Sequence, residues 1–260
     1  VTYYRNLYNA THPSEINSPV SLSRNLLAWN QPGTNGLILP VNPSASFLSI
    51  LFANELWFTL GDMTMAEHCA MLSMIFSPRN SGSRMIKRLA EINLVNGDDE
   101  AALKYLRILD KTLLHKSWAE KRIPGQQTPR VKEWLEKKRR DIPTQDQLRS
   151  GNDAVTSLQN LVASNAGNLR AYEYLLCYHL LSKDLRSFVE DYVPGKVSSP
   201  IFAEALLIHL ARQGNIRAEE LIKYQIPVEI AKEFADYTRL YEAKDTSLKE
   251  KYGKTYWFYC

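Results

Sequence analysis

The chain has 260 residues, of which 45% are hydrophobic and 23% are charged, and its formal net charge is +4. These values are ordinary for a folded globular protein and exclude a disordered or collagen-like chain. The weak positive charge also lacks the strong basic excess of a nucleic-acid-binding domain, so we expect no nucleic-acid partner. Cys69, Cys177 and Cys260 are far apart and lack metal-ligand spacing, so we expect two buried thiols and one terminal thiol.

Residues 1–46 are predicted to form N-terminal helices followed by an ordered loop. Apolar residues recur at helical spacing in residues 1–12 and 21–29, and two Gly and two Pro in residues 30–40 predict the loop. The first residue is Val1 rather than Met, so we expect the chain to be part of a longer protein. No stretch reaches the roughly 18 apolar residues that a membrane-spanning helix needs.

Residues 47–116 contain an internal repeat with a period of 36 residues. The repeated residues are Glu55, Gly61, Asp62 and Ala66, and their counterparts are Glu91, Gly97, Asp98 and Ala102. Such a period is typical of helix pairs that stack because one pair cannot bury its apolar face alone. We therefore predict a first pair of helices over residues 47–60 and 65–76 and a second pair over 83–95 and 99–114.

The repeated residues have mechanical roles at the turn between two helices. Gly61 and Gly97 follow a helix C-terminus, where a left-handed conformation favours glycine. Asp62 and Asp98 are predicted to cap the next helix by accepting its free N–H groups. The small alanines lie one turn further on, where they let the paired helices approach closely.

The pattern changes after residue 116. Residues 117–167 are predicted to be a charged connector with one exposed, salt-bridged helix near Lys132 to Arg140. Residues 168–244 are predicted to form a second repeat half, with helices over 169–181, 184–193, 201–212 and 216–224 and a capping helix over 228–242. Lys183-Asp184 takes the place of Gly-Asp there. The aromatic tail, residues 245–260, is expected to fold over the end of the array rather than to mark a membrane interface.

The repeat resembles the tetratricopeptide repeat. With Gly61 at the turn, Trp57 takes the Tyr position of that motif, Ala66 its Ala position and Pro78 its closing Pro position, although Asn54 replaces a small residue. The resemblance implies an all-α fold, a right-handed α-α superhelix of tetratricopeptide-like helix pairs. The first helix of each pair would line the concave face.

A second resemblance covers most of the chain. Residues 89–97, 170–185, 203–207 and 255–259 are similar to an uncharacterised bacterial family with several membrane-spanning helices before a C-terminal helical-repeat region. The resemblance implies a soluble region of a membrane-anchored protein, with the side of the membrane left open. It carries over no catalytic residue.

Motifs of known catalytic sites are absent from the sequence. It lacks a phosphate-binding loop, a dinucleotide fingerprint, H-E-x-x-H, C-x-x-C and G-x-S-x-G. We therefore expect no enzymatic activity of these residues, no cofactor and no metal, and the activity of the full-length protein stays open. His179 and His209 occupy corresponding helices and could approach each other, so a metal or acid–base pair is the alternative to two packing residues.

Charged residues on the first helices suggest a binding groove. Glu55 and Glu91 share one repeat position, where pairing with a basic neighbour or with solvent is favoured over acid–base catalysis. Arg84, Lys87 and Arg88 form a basic strip that would suit a carboxylate or an acidic peptide, or would simply be solvated.

These features favour a non-enzymatic protein–protein interaction (scaffold) module. The candidate groove residues are Arg84, Lys87, Arg88, Glu91, Tyr174 and Tyr178. Expected partners are a protein or peptide segment on the concave face and the protein's own N-terminal membrane region, while a small-molecule ligand stays open. The alternatives are a domain that positions substrate for an enzyme or transporter formed by the membrane region, and self-association.

Overall fold

A computed structural model describes residues 47–76, 78–143 and 154–260, and the regular structure in these ranges is entirely helical. This confirms the all-α class for the described residues. The helices and loop predicted within residues 1–46 lie outside them. The described chain divides into a first unit that ends at Ala171 and a second unit that runs from Tyr172 to Cys260.

The first unit contains seven complete described helices and the start of an eighth. In chain order they are α1 (Phe47–Leu60), α2 (Met63–Phe76), α3 (Pro78–Asn96), α4 (Asp99–Asp110), α5 (Lys116–Glu120), α6 (Pro129–Arg139), α7 (Ala154–Ser164) and α8 (Leu169–Leu181). The bounds of α1 and α8 match the prediction. Helix α4 ends earlier than predicted, because the Thr112 hydroxyl donates to the Leu109 carbonyl and then accepts from the His115 N–H, which starts a new turn.

The turn between α1 and α2 is closed by hydrogen bonds on both sides. Gly61 has a φ of +92°, and the N–H of Asp62 donates to the Trp57 carbonyl at 2.9 Å. This bond ends a helix through a left-handed residue. The Asp62 carboxylate then accepts the N–H of Met65 at 2.9 Å, which confirms the predicted N-cap.

The same geometry recurs between α3 and α4. Gly97 has a φ of +81°, and Asp98 donates to the Asn93 carbonyl at 2.9 Å. The carboxylate of Asp98 caps α4 by accepting the N–H of Ala101 at 2.9 Å. The repeat detected in the sequence is therefore a repeat of turn geometry.

Each helix from α1 to α5 packs against the next one in the chain, and α3 is enclosed on two sides. Met85 and Leu89 on α3 pack with Ala70 on α2. The other side of α3 packs on α4 and α5 through a cluster formed by Ala90, Leu106, Leu109 and Ala119. Ala66 and Ala102 are both fully buried, so their small side chains lie in the packed interior of the first unit.

The connector differs from the prediction of one exposed helix. Its described residues form α5, α6 and α7, and α6 packs against α3. Val131 and Leu135 are one turn apart on α6 and are both buried. Arg139 donates to the carbonyls of Leu94 and Val95 at 2.8 and 3.0 Å. This basic side chain therefore supplies hydrogen bonds to the free carbonyls at the C-terminus of α3 instead of forming a salt bridge.

The second unit contains the rest of α8 and six further helices. They are α9 (Leu185–Asp191), α10 (Pro200–Arg212), α11 (Ala218–Lys223), α12 (Val228–Glu242), α13 (Leu248–Tyr252) and α14 (Tyr256–Tyr259). Before α9, Lys183 adopts the left-handed φ of +57° that glycine has elsewhere. Asp184 then caps α9 by accepting the N–H of Ser187 at 3.0 Å, as predicted.

The aromatic tail folds onto its own unit, as expected. Tyr256 is fully buried; its N–H donates to the buried carboxylate of Glu204, and its hydroxyl donates to the Leu180 carbonyl. The Trp257 indole N–H donates to the Glu204 carbonyl at 2.9 Å, and its ring packs against Phe234. The tail therefore covers α10 and supplies a hydrogen-bond donor to a carbonyl in the last turn of α8.

Replacing the two turn glycines by alanine is expected to lower the free energy of unfolding by different amounts. A Cβ at Gly61 would lie 2.2 Å from the Asp141 carbonyl oxygen, whereas a Cβ at Gly97 would meet no atom within 4 Å. Gly97→Ala should lower the free energy of unfolding by about 1 kcal/mol, the cost of a left-handed alanine. Gly61→Ala adds a backbone clash and should cost about 3 kcal/mol or more. Equal losses in urea unfolding would contradict the close approach at Gly61.

Two neighbouring aromatic residues of the tail, one buried and one exposed, allow a test of how far tail packing stabilises the unit. Trp257 is buried, whereas Phe258 is exposed. Trp257→Ala should lower the free energy of unfolding by about 3–5 kcal/mol, because it leaves a large cavity beside Phe234. Phe258→Ala should cost less than about 1 kcal/mol. Thermal unfolding of both variants measures the difference, and a small effect at Trp257 would show that the tail does not support the unit.

Candidate binding surface

Arg88 on α3 joins the two glutamates that share one repeat position. Its guanidinium donates to Glu55 and, at 3.0 Å, to Glu91, and its Nε donates to the Asn54 side-chain oxygen at 3.1 Å. The guanidinium carbon also lies 3.7 Å from the centre of the Phe58 ring. Only 11% of the Arg88 side chain is exposed, so its hydrogen-bonding capacity is largely used inside the unit.

Glu55 is held by two guanidinium groups, because Arg84 also donates to it at 3.0 Å. Burial alone would raise the pKa of the Glu55 carboxyl, but Arg88 and Arg84 together lower that pKa below its ordinary value. The pairing of Glu55 and Glu91 with a basic neighbour is therefore confirmed.

The hydrogen bonds of Asn54 explain why it replaces the small residue of the repeat pattern. Its amide donates to the Ala66 carbonyl at 2.5 Å, while its oxygen accepts from Arg88. A small residue at this position would allow close packing but could form neither bond. Asn54 thus ties α1 to α2 and fixes the position of the Arg88 guanidinium.

Lys87, on the same helix as Arg88, has a different environment. Its Nζ lies 4.7 Å from the centre of the Trp118 ring on α5, and the guanidinium carbon of Arg122 lies 4.1 Å from the same centre. Arg122 also donates to the Trp118 carbonyl, but its Nε has no hydrogen-bond partner in the described part of the chain. Among the described residues, no carboxylate forms an ion pair with either cation.

Helix α6 places one further cation, Lys138, and one further indole, Trp134, beside Phe58. The Phe58 and Trp134 rings stack with centres 6.3 Å apart, and the Nζ of Lys138 lies 4.7 Å from the Phe58 centre. The pKa of Lys138 is lowered to about 8, first by burial and then by the positive charge of Arg170. We call Lys87, Trp118, Arg122, Trp134 and Lys138 the cation–aromatic surface; Phe58 and the Arg88 ion pairs beside it are largely buried.

Sequence reasoning identifies part of this surface and misses the rest. Arg84, Lys87, Arg88 and Glu91 are predicted from their places in the repeat. Trp118, Arg122, Trp134 and Lys138 are not, because they lie in the connector, where no repeat gives a register. The only sequence signal is a tryptophan among basic residues, and an exposed helix accounts for that pattern equally well.

The two candidate tyrosines belong to the second unit. Tyr174 is only 2% exposed, so its ring packs inside that unit and is not available to a partner. Tyr178 is half-buried and lies edge-on to His179, with ring centres 6.3 Å apart. The prediction that Tyr174 lines a binding groove is therefore wrong, because its ring is buried. Tyr178, on the same helix, is partly accessible.

His179 and His209 lie in different environments. His179 is buried and pairs with Asp191 at 2.9 Å, whereas burial followed by the charge of Arg212 lowers the pKa of His209. No group of three or more His, Cys, Asp or Glu within the described ranges could hold a metal ion.

The three cysteines have the predicted exposure. Cys69 and Cys177 are buried and Cys260 is partly exposed, and burial raises the pKa of the Cys69 thiol to about 12.

Comparison with protein families gives one assignment. The model of a family of unknown function, DUF6057, matches residues 21–260. The chain belongs to DUF6057. No curated protein and no solved structure matches it. Membership of DUF6057 agrees with the resemblance to an uncharacterised family, and it assigns no ligand, partner or reaction. In the described part of this DUF6057 chain, no helix has the length and apolar character needed to cross a membrane.

The pH dependence of stability should report the Glu55 ion pairs. Because its pKa is lowered on folding, Glu55 stabilises the fold fully above its ordinary pKa of 4.5, and this stabilisation is lost as the pH falls through the lower folded value. Glu55→Gln should therefore cost about 2–4 kcal/mol at neutral pH and much less near pH 3.

Glu100→Gln is the control for this measurement. Glu100 forms an exposed pair with Lys104 at 3.4 Å, so its loss should change the free energy of unfolding by less than about 0.5 kcal/mol at either pH. A Glu55→Gln cost that is the same at both pH values would show that the ion pairs do not stabilise the fold.

Proposed function

We propose that this chain is a non-enzymatic interaction module that binds an acidic protein segment on the cation–aromatic surface. The module would be the soluble region of a membrane-anchored protein. Its helix pairs would continue as a right-handed tetratricopeptide-like superhelix with α1 and α3 on the concave face. The recurring turns at Gly61 and Gly97 support this arrangement, because they give successive pairs the same local geometry.

One contrast carries the proposal. Arg84 and Arg88 are neutralised by carboxylates of their own unit, whereas Lys87 and Arg122 share the Trp118 ring without an ion-pair partner in the described residues. Burial lowers the pKa of Arg122, and Glu91, which already pairs with Arg88, only partly offsets that effect. Partly buried cations such as Lys87 and Arg122 are stabilised by a close counter-charge. A carboxylate from a partner would supply that charge and would form strong, charge-assisted hydrogen bonds.

The aromatic rings extend the chemistry beyond a single charge. Trp118 and Trp134 are both half-buried, so each presents part of its ring at the surface. Indole rings next to cations are common in protein interfaces, since they bury a large area and are stiff. A peptide with acidic and apolar side chains fits this combination better than a small inorganic anion does.

Peptide display tests the proposal with ligands of random sequence. A random library panned against the chain should return peptides enriched in Asp and Glu. Lys87→Gln/Arg122→Gln, which removes both charges but keeps polar side chains, should weaken the best peptide about tenfold or more. Lys104→Gln/Lys132→Gln removes two exposed cations of the same unit and should leave the affinity unchanged. Peptides without acidic residues, or equal losses in both variants, would refute the proposal.

A further inference from the structure

The turn between α4 and α5 presents two leucines to solvent. Leu113 is 102% exposed and Leu114 is 89% exposed, which makes them the most exposed large apolar side chains among the described residues. Ile108, in the last turn of α4, is also exposed. Water contact over two adjacent leucines is unfavourable, so a partner that covers them would gain binding energy.

The turn is ordered by its own hydrogen bonds. The Thr112 hydroxyl donates to the Leu109 carbonyl at 2.7 Å, and the Thr112 carbonyl accepts the N–H of Lys116 at 3.1 Å. The two leucines thus project from a fixed turn between two helices. We call residues 111–115 the leucine tip.

Basic side chains lie close to the leucine tip in the sequence. Arg107, Lys111 and Lys121 are exposed, and none of them forms an ion pair within the described ranges. Lys116 is exposed as well and lies 4.0 Å from Glu120, at the limit of an ion pair. Asp110 and Glu120 are the carboxylates of the same stretch, so residues 107–121 carry four basic and two acidic side chains, and this positive excess favours a negatively charged surface.

We propose that the leucine tip docks on an anionic lipid bilayer. The two leucines insert at the headgroup boundary, and the neighbouring Arg and Lys side chains contact anionic headgroups. The size of the tip favours lipid over protein: two leucines and their neighbours offer a few hundred Å², whereas a stable protein interface buries about 800 Å² on each partner. A fluid bilayer accepts a narrow apolar projection without a matching cavity.

This inference is independent of the proposed peptide site, because it uses other residues and another class of ligand. A fluorescent label can test it directly. Leu113→Cys in a Cys260→Ser background leaves Cys69 and Cys177, both buried, as the only other thiols, so an environment-sensitive nitrobenzoxadiazole dye attaches at the tip. Ala163→Cys, exposed on α7, is the matched control label.

Both labelled chains are mixed with vesicles of phosphatidylcholine, with and without phosphatidylserine. We expect the emission of the label at position 113 to shift to the blue and to be quenched by brominated lipid when phosphatidylserine is present, and the label at position 163 to stay unchanged. No shift on any vesicle, or equal shifts at both positions, would overturn the proposal.

Unlabelled variants separate the contributions of the leucines and of the charges. In co-sedimentation with the anionic vesicles, Leu113→Ser/Leu114→Ser and Arg107→Glu/Lys111→Glu should each reduce partitioning about tenfold. Ile222→Ser removes an equally apolar side chain that is 77% exposed in the second unit and should have no effect.

Two further outcomes would assign the observed binding to lipid contact through α6 or to self-association of the chain. Lys132→Glu/Lys137→Glu reverses two exposed charges on α6; loss of binding there, with no loss in the tip variants, would place the lipid contact on α6 and overturn the proposal. If the leucine variant instead abolishes self-association in analytical ultracentrifugation, the tip contacts a second copy of the chain, and the proposal is equally overturned.

Discussion

The tight turn closed by a left-handed residue and an aspartate is the constraint on which the helix pairs depend. With only two residues between α1 and α2, or between α3 and α4, every backbone group at the turn needs a local partner. Gly61 and Gly97 supply the conformation, and Asp62 and Asp98 supply the cap. The short connection in turn brings the paired helices close together, which leaves room only for small side chains where they meet.

Charge is distributed unevenly over α3. One turn of this helix carries an arginine that neutralises two glutamates, and the adjacent Lys87 has a tryptophan ring but no carboxylate. The ion pairs of Arg84 and Arg88 stabilise the first unit, whereas Lys87 makes a cation–π contact and no ion pair within the described residues; the proposed peptide site rests on this difference. The difference comes from their partners in space, since Lys87 and Arg88 are neighbours in the sequence.

Local features could be predicted from the sequence, and distant contacts could not. The turns, the caps and the bounds of α1, α8 and α12 follow from patterns within a few residues. The packing of Lys138 on Phe58 joins residues 80 positions apart, and no repeat links α6 to α1. The sequence of α6 predicts an exposed helix because most of its residues are charged, although Val131 and Leu135 alone are enough to bury one face.

The approach of Asp141 to Gly61 has a consequence for the order in which the molecule is built. The turn at Gly97 also depends on α6, because Arg139 donates to the carbonyls of Leu94 and Val95 just before it. The turn at Gly61 reaches its final packing only when the backbone at residue 141 has been synthesised and has arrived beside it. Non-local contacts of this kind slow folding, since the intervening chain must be ordered first. During synthesis, both helix pairs described between residues 47 and 110 are therefore completed only after α6 has been made.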